Sequence, residues 1–161
     1  MHVIDARDQE TQPLALRRSG KLVGEEARTV LHLGAVMSKT VLVVEDSALF
    51  QKAYAAALAT YAKEPLEVLY ASNGEEALAQ VAQVPSIDLI VLDVNMPVMD
   101  GPAFLDRLRH DYASLDIPVM FSSTRAYAMR EKLGSSLGVV AYLQKPFAPR
   151  ELHTLLDKIW S

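Results

Sequence analysis

The order of apolar and polar positions divides the chain, from Thr40 onward, into short β-rich runs separated by longer segments of helical period. The apolar runs cover residues 41–44, 66–70, 89–92, 119–122 and 139–143. Their alternation with helical segments predicts an α/β fold, (βα)5, with a parallel sheet covered by helices on both faces. Between the runs, apolar residues recur at helical spacing, and we expect them in the core: Phe50, Tyr54, Leu58, Tyr61, Leu78, Val81, Phe104, Leu108, Met129, Leu133, Leu137, Leu152, Leu155, Leu156 and Ile159.

Residues 1–36 do not continue this pattern, because polar and charged residues dominate and no sustained apolar period begins before Val30. We predict a flexible N-terminal leader over residues 1–36 and one folded domain over residues 37–161. An upstream extension of the reading frame is an equivalent interpretation, since Met37 begins the sequence MSKTVLVVEDS as a natural start would. A short docking helix around residues 25–36 is neither supported nor excluded.

The composition is that of one ordinary globular domain, with 161 residues of which 50% are apolar and 22% charged. No aliphatic run is long enough to span a membrane and no secretory signal opens the chain, so we expect a cytoplasmic protein. The net charge of −4 argues against nucleic-acid binding as the main activity. Cysteine is absent, which excludes disulfides, thiolate metal sites and cysteine nucleophiles.

Polar residues suited to chemistry follow four of the five predicted strands. The first strand ends in Glu45 and Asp46, the third in Asp93, the fourth in the Ser-Ser-Thr sequence of residues 122–124, and the fifth in Lys145. In a doubly wound sheet these strand ends meet at one edge, where ligands bind. Crowded carboxylates repel one another unless a cation compensates their charge. Because oxygen ligands suit Mg²⁺, the sequence predicts a magnesium site that accepts phosphate.

Four segments at these strand ends resemble, in their order, the receiver domains of two-component response regulators, over about residues 39–161. VLVVEDS (41–47) resembles the acidic end of the family's first strand, and LIVLDVNMPVMDG (89–101) resembles its phosphoacceptor segment. IPVMFSS (117–123) supplies a switch hydroxyl, and AYLQKPF (141–147) is similar to the aromatic, lysine and proline signature of the last strand. The resemblance implies the flavodoxin-like strand order 2-1-3-4-5, and the sequence DVNMPVMDG resembles chemotaxis-type receivers.

The resemblance implies a role for each residue of this edge. Asp93 would be the phosphoacceptor, which attacks a phosphoryl donor and forms an acyl phosphate. Asp46 and Asp93 would bind Mg²⁺ directly, together with the backbone carbonyl of Asn95, and Glu45 would act through water. Lys145 would pair with a phosphoryl oxygen, and a cis bond to the following proline would aim its side chain into the site.

Two further residues would transmit the signal. Ser123 is favoured over Ser122 as the switch hydroxyl. It lies 30 residues after Asp93 and 22 before Lys145, which is the family's usual spacing. Strand alternation would turn Ser122 to the other face. Tyr142 matches the aromatic residue that moves inward when the hydroxyl is drawn to the phosphoryl group, and the alternative is an ordinary half-buried tyrosine.

The sequence also departs from the family. Thr124 is larger than the residue that the family prefers after the switch hydroxyl, which would narrow access to the phosphoryl group. Asn95, Thr124 and Arg125 occupy positions that resemble the family's tuners of the dephosphorylation rate. Val139 and Val140 stand where acids are common before the last strand, so the output face would be less charged. The histidines form no metal-ligand spacing, and we expect them at the surface: His2, His32, His110 and His153.

The favoured function is a stand-alone receiver, a phosphorylation-controlled binding module rather than an enzyme, since nothing after Ser161 remains for an effector. It would accept a phosphoryl group from a histidine kinase or a histidine phosphotransfer protein and, as a monomer, bind a downstream effector protein. The output face would comprise the fourth helix, fifth strand and fifth helix, roughly residues 125–137, 139–142 and 150–160. The alternative within the family is a phosphotransfer intermediate of a phosphorelay.

Three other classes fit the residues less well. An aspartyl-phosphate phosphohydrolase of the haloacid dehalogenase kind would carry a DxDx[TV] motif at the first strand, whereas Asp93 follows the third. A nucleotide-binding domain conflicts with the absence of a GxGxxG or Walker A loop. A degenerate receiver used only as a scaffold conflicts with the complete set of family residues: Glu45, Asp46, Asp93, Ser123 and Lys145.

Overall fold

The structure, a computed structural model, describes residues 37–133 and 136–161 of the chain. Within these residues the strands are β1 (Lys39–Val44), β2 (Leu66–Ala71), β3 (Leu89–Asp93), β4 (Val119–Ser123) and β5 (Val139–Gln144). The helices are α1 (Ala48–Ala59), α2 (Gly74–Gln83), α3 (Gly101–Asp111), α4 (Ala126–Leu133) and α5 (Pro149–Ile159), with 3-10 turns at Ala113–Leu115 and Ser136–Gly138. None of these helices is long and apolar enough to cross a membrane. The predicted leader, residues 1–36, lies outside the described residues, so its flexibility stays a prediction.

The five strands are parallel and lie in the order β2-β1-β3-β4-β5, which confirms the predicted flavodoxin-like arrangement. Val44 of β1 pairs with Ala71 of β2 and with Leu92 of β3, so these three strands end at nearly the same level. Asp93 extends β3 by one residue and pairs with Ser122 of β4. The residues that follow β1 and end β3 and β4 are therefore neighbours at one edge of the sheet.

The side chains of the sheet alternate between two separate cores, one on each face. β3 and β4 contribute to both cores, since they are buried along their whole length. One face packs against α2, α3 and α4, and its largest buried side chains are Leu42, Ile90, Leu92, Phe104, Leu105, Leu108 and Phe121. The other face packs against α1 and α5, and its largest buried side chains are Leu89, Met120, Tyr54, Leu152 and Leu156.

The region after α1 differs from the prediction in two respects. α1 ends at Ala59, so Tyr61 lies beyond the helix, although it is buried as expected. His153 of α5, expected at the surface, is half-buried against this region, and its Nε2 atom lies 2.7 Å from the carbonyl oxygen of Ala57. The His153 ring meets the Tyr61 ring edge-on, with centroids 5.4 Å apart. Helical spacing shows that a residue lies on a helix face but not which residues face it from another helix.

The region after α4 also differs from the prediction. α4 ends at Leu133, and Leu137, predicted on its apolar face, is 45% exposed in a 3-10 turn with a φ of 66°. Arg109 of α3 provides the physical reason. Its guanidinium donates to the carbonyl oxygens of Ile117 at 3.0 Å, Gly138 at 3.2 Å and Leu137 at 3.4 Å. A contact from another helix thus holds this turn in a non-helical conformation.

The start of β5 corrects the expected output surface. Val139 is 6% exposed and belongs to the core beneath α2, α3 and α4, whereas Val140 is 52% exposed. The pairing of β4 with β5 shifts register here, because Val119 pairs with Val139 and Met120 with Ala141, so Val140 is an extra residue without a partner on β4. Val140 therefore contributes an uncharged side chain to the surface, and the expectation that Val139 does so as well is wrong.

Candidate functional site

Three carboxylates meet at the edge of the sheet where β1 and β3 end. Glu45 and Asp46 follow the last residue of β1, and Asp93 is the last residue of β3. One carboxylate oxygen from each residue lies within 4.8 Å of the other two. Glu45 and Asp93 are only 1% and 7% exposed, whereas Asp46 is exposed. The acids therefore converge as the positions of the strand ends predict.

The turn between β1 and α1 positions the first two acids. The backbone N–H of Ser47 donates to Oε1 of Glu45 at 3.0 Å, and Nε2 of Gln51 donates to the Glu45 carbonyl oxygen at 2.6 Å. The Ser47 hydroxyl caps α1 by accepting from the N–H of Phe50 at 3.4 Å. These contacts turn the Glu45 side chain inward and leave Asp46 exposed. Gln51 was not predicted from the sequence, although a polar residue in the first turn of the helix that follows the acids was a usable signal.

Lys145, which follows β5, places a buried ammonium group among the acids. It is 5% exposed, and its Nζ atom forms ion pairs with Oε2 of Glu45 and, at 3.1 Å, with Oδ1 of Asp93. Nζ also lies 4.3 Å from the centroid of the Phe50 ring, within the range of a cation–π contact. The peptide bond between Lys145 and Pro146 is cis, which confirms that prediction.

Burial and charge act in opposite directions on the two inner carboxyl groups. Burial raises the pKa of Glu45 and the pKa of Asp93 above their ordinary values, while the ammonium of Lys145 opposes both shifts. One ammonium cannot offset three carboxylates, so negative charge is in excess. An all-oxygen donor set with excess negative charge fits a hard divalent cation such as Mg²⁺.

The loop after Asp93 requires a glycine at its far end. A β-carbon on Gly101 would clash with the carbonyl oxygen of Asp93 and lie 3.0 Å from the Cα of Val94. Gly101 also donates its N–H to the carbonyl oxygen of Val94 at 3.0 Å, which closes the loop, and the Asp100 carboxylate caps α3 by accepting from the N–H of Ala103 at 2.9 Å. Gly101 was not predicted as a site residue, although the Asp-Gly pair at the start of a helix was a usable signal.

The two serines at the end of β4 face opposite sides of the sheet, as strand alternation predicts. Ser122 is fully buried on the side of α1, and its hydroxyl accepts a hydrogen bond from the hydroxyl of Tyr54. Burial raises the pKa of Tyr54, so this hydroxyl keeps its proton as a donor. Ser123 is 3% exposed, and its hydroxyl accepts from the N–H of Arg125 at 3.1 Å.

The remaining predicted residues surround this cluster. The side chains of Asn95, Thr124 and Arg125 are exposed. Tyr142 is half-buried on β5, with its ring centroid 6.1 Å from that of Phe121 on β4. The structure thus joins Glu45, Asp46, Asp93 and Lys145 directly and places Ser123 at the adjacent strand end.

Several of the similar proteins are transcriptional regulators. The chain is 33% identical over 124 residues to the phosphate regulon transcriptional regulatory protein PhoB of Pseudomonas aeruginosa, covering 77% of this chain and 52% of that protein. It is 33% identical over 123 residues to the alkaline phosphatase synthesis transcriptional regulatory protein PhoP of Bacillus subtilis, covering 76% of this chain and 49% of that one. The chain spans about half the length of the curated relatives it matches.

Solved structures match over nearly their whole length. The chemotaxis response regulator CheY4 of Vibrio cholerae superimposes with a TM-score of 0.63 and 32% identity, covering 76% of this chain and 99% of that one. The receiver domain of a sensor histidine kinase from Pseudomonas aeruginosa, with a magnesium ion coordinated in its active site cleft, gives a TM-score of 0.65 and 25% identity. That match covers 78% of this chain and 100% of the other.

The family match spans both the fold and the site. The response regulator receiver domain family matches residues 41–157, which include all three carboxylates, both serines and Lys145. The matched segment also contains the five-stranded parallel sheet except for its first two residues. The family match, the strand order and the site together show that the chain belongs to the response regulator receiver domain family of two-component systems.

Proposed function

We propose that this chain is a phosphorylation-controlled signalling switch, in which Asp93 accepts a phosphoryl group from a histidine kinase or a histidine phosphotransfer protein. The observation that carries the proposal is the buried ammonium of Lys145, which contacts both Glu45 and Asp93 beside the exposed carboxylate of Asp46. Such a site can attract a cation and the anionic phosphoryl group to the same place.

In the proposed transfer, a carboxylate oxygen of Asp93 attacks the phosphorus atom of a phosphohistidine. An oxygen–phosphorus bond forms, the phosphorus–nitrogen bond breaks, and the imidazole leaves with the bonding electron pair. The product is an acyl phosphate on Asp93. Lys145 donates to a phosphoryl oxygen and stabilises the transferred charge.

We infer from the donor set and the family resemblance which residues would hold Mg²⁺. Asp46 and Asp93 would bind the ion directly with the backbone carbonyl of Asn95, and Glu45 would act through water. When bound, Mg²⁺ supplies positive charge that offsets the carboxylates and the developing charge on the phosphoryl oxygens. The matched sensor-kinase receiver was determined with magnesium in its active site cleft, which supports the same assignment for this chain.

The signal would leave the site through Ser123. Its buried hydroxyl would donate to a phosphoryl oxygen on Asp93 of the neighbouring β3, which draws the loop after β4 inward. Tyr142 would then move from the surface between α4 and β5 into the space next to Phe121. A charge-assisted hydrogen bond contributes about 1.5–3 kcal/mol, whereas inverting a two-state balance needs about 5.5 kcal/mol. The two conformations must therefore already be close in free energy.

The output would be read on the face of α4, β5 and α5. This face carries a groove of about 750 Å³, lined in part by Tyr142, Leu155 and Ile159. Arg130 of α4 and Lys158 of α5 also line it. A movement of Tyr142 would change the shape of this groove, and with it the affinity for a downstream effector protein.

The test of the transfer is phosphorylation by radiolabelled phosphoramidate with Mg²⁺ in the absence of a kinase. We expect acid-stable but base-labile label on the wild type and none on Asp93→Asn. The matched control is Asp106→Asn, because Asp106 is an exposed aspartate on α3 outside the site. Wild-type labelling of Asp93→Asn would contradict the proposal.

The division of roles between the first two acids has its own test. In a calorimetric Mg²⁺ titration, Asp46→Ala should weaken binding more than tenfold and Glu45→Ala less, because only Asp46 is assigned a direct bond. Equal losses would show that the roles are wrongly divided.

The phosphorelay alternative differs in the fate of the phosphoryl group. An intermediate returns it to a second histidine phosphotransfer protein, whereas an output switch keeps it until hydrolysis. Incubation of the labelled chain with candidate phosphotransfer proteins distinguishes the two, since only the relay predicts labelled histidine. A monomeric state, a cytoplasmic location, a chemotaxis-type role and the lack of nucleic-acid binding stay predictions.

A further inference from the structure

We propose that Gln144 is a positioning residue whose carboxamide holds the loop after β4 against β5 and so opposes the movement of Ser123 toward Asp93. The inference rests on the proposed function, in which that movement transmits the signal. Gln144 lies inside the AYLQKPF segment, but the resemblance implies no role for it and it is not part of the phosphoryl site.

The contacts of Gln144 connect two strand ends. Gln144 is the last residue of β5 and pairs with Ser123, the last residue of β4. Its Nε2 atom donates to the carbonyl oxygen of Thr124 at 2.7 Å and to that of Lys145 at 3.1 Å. Thr124 is the first residue after Ser123. The side chain therefore attaches the loop to β5 directly beside the proposed switch hydroxyl.

Two backbone contacts complete the arrangement. The N–H of Lys145 donates to the carbonyl oxygen of Ser123 at 2.9 Å, which extends the pairing of β4 and β5 by one step. The N–H of Arg125 donates to the Ser123 hydroxyl at 3.1 Å, which folds the loop back on itself. The Gln144 amide adds a side-chain contact between this folded loop and β5.

The strand order determines the direction in which this contact acts. β4 lies between β3, which carries Asp93, and β5, which carries Gln144. A phosphoryl group on Asp93 would draw Ser123 toward β3 and away from β5. That movement lengthens the bond between Nε2 of Gln144 and the carbonyl oxygen of Thr124. The bond therefore favours the conformation in which Ser123 has not moved.

The Gln144 contact lacks one hydrogen bond that a fully satisfied amide would make. The Oε1 atom of Gln144 is buried and has no hydrogen-bond partner among the described residues. An unsatisfied buried acceptor costs free energy, so the closed contact is weaker than a fully satisfied amide. Gln144 also lies two residues from Tyr142 on the same face of β5. Opening the contact thus frees the loop next to the aromatic residue that would move.

The experiment compares Gln144→Met with Gln80→Met in the full chain. Methionine keeps the length of the side chain and removes the amide. Gln80 is the matched control, because its Nε2 donates to the carbonyl oxygen of Tyr70, on the opposite edge strand of the sheet. Beryllofluoride with Mg²⁺ serves as the probe for the phosphorylated state, and amide hydrogen exchange is measured with and without it.

We expect Gln144→Met to raise the exchange rates of the Arg125 and Ala126 amides at least fivefold in the absence of the probe. We expect the apparent affinity for beryllofluoride to increase about fivefold, which is about 1 kcal/mol at 1.4 kcal/mol per tenfold. Gln80→Met should match the wild type in both measurements. A purely structural role would instead lower the melting temperature and leave the affinity for beryllofluoride unchanged or weaker.

The outcomes separate this inference from the proposed function. If the wild type shows no change in exchange on adding beryllofluoride and Mg²⁺, the proposed function is wrong. If the wild type responds and Gln144→Met behaves like Gln80→Met, only the role of Gln144 is overturned. Gln144→Glu keeps the size of the side chain but removes the donor, and it carries the test if Gln144→Met does not fold. Wild-type behaviour of Gln144→Glu would overturn the role of the amide.

Discussion

α5 and α4 pack on opposite faces of the same edge strand, β5, but they bury different numbers of apolar side chains against the sheet. α5 buries Leu152 and Leu156 completely, and both side chains belong to the core shared with α1. Of α4, only Ala126 is classed as buried, while Met129 and Leu133 are partly buried at the margin of the other core. Burial of aliphatic surface is the main stabilising term in such packing. α5 is therefore the more firmly attached helix.

Specific polar contacts increase this difference. The Tyr61 hydroxyl donates to Oδ1 of Asp157 on α5 at 3.0 Å, and Nζ of Lys63 lies 2.7 Å from Oδ2 of the same residue. These contacts join α5 to the segment after α1, beside the half-buried His153. They constrain the position of α5 along its length as well as its distance from the sheet.

The difference matches what each helix would do in the proposed switch. α4 begins three residues after Ser123, so the helix nearest the switch hydroxyl is also the one with the fewest buried residues among the five described helices. α5 follows the loop that carries Lys145, whose ammonium must stay in place among the carboxylates. Weakly packed elements open and shift at lower free energy than core elements. The molecule thus combines a firmly held site with a helix that is easier to move.

The largest expected effect tests the packing difference with two leucines. Leu156→Ala should lower the free energy of unfolding by about 3 kcal/mol, because Leu156 is fully buried and its loss leaves a cavity. Leu133→Ala on α4 should cost about 1 kcal/mol, because part of that side chain already contacts water. Urea denaturation measures both. Equal losses would show that α4 is as firmly packed as α5.

The next effect separates the two serines at the end of β4. Ser122→Ala should cost about 1–3 kcal/mol in the free energy of unfolding, because it leaves the buried hydroxyl of Tyr54 without its acceptor. Ser123→Ala should cost less, because the N–H of Arg125 that it leaves unpaired lies in an exposed residue. The response to beryllofluoride should show the opposite order, lost in Ser123→Ala and kept in Ser122→Ala. Loss in both variants would mean that the response follows stability rather than the switch hydroxyl.

The smallest expected effect concerns the polar contacts of α5. The Lys63 ammonium, together with the Tyr61 hydroxyl, holds the pKa of Asp157 below its ordinary value of 3.8. A lowered pKa means that the unfolded chain binds the proton more readily. The contribution to stability is therefore present above the ordinary pKa and lost as the pH falls through the lowered one. The destabilisation of Asp157→Asn relative to wild type should thus be present at pH 6 and shrink toward pH 2.

The control for this measurement is Asp106→Asn on the exposed side of α3. Its effect on the free energy of unfolding should stay small across the same pH range. A destabilisation of Asp157→Asn that does not change with pH would show that the contact is not electrostatic.

Much of the site could be predicted because parallel strands end at a common edge. Glu45, Asp46, Asp93 and Lys145 each follow a recognisable apolar run, so their proximity follows from strand polarity. The opposite orientations of Ser122 and Ser123 follow from the two-residue period of a strand. These are rules of backbone geometry, and they hold whatever the neighbouring side chains are.

Other features could not be predicted, because they depend on partners distant in the chain. Leu137 fits an apolar helical position, yet Arg109, 28 residues earlier, binds its carbonyl oxygen and holds it in a turn. His153 is half-buried because Ala57, 96 residues earlier, offers it a carbonyl oxygen. Nothing in the local pattern around either residue indicates these contacts.

By itself, the sequence determined the alternation of strands and helices, the edge at which the acids meet, and the family to which the chain belongs. The pattern of apolar and polar residues is periodic and local, and backbone geometry relates such a pattern directly to the positions of residues on strands and helices. The tertiary structure alone decided which groups are buried together. It therefore decided the raised pKa values of Glu45 and Asp93. It also decided the contact between the Gln144 amide and the loop after β4. Desolvation and side-chain hydrogen bonds depend on three-dimensional packing, which no local pattern encodes.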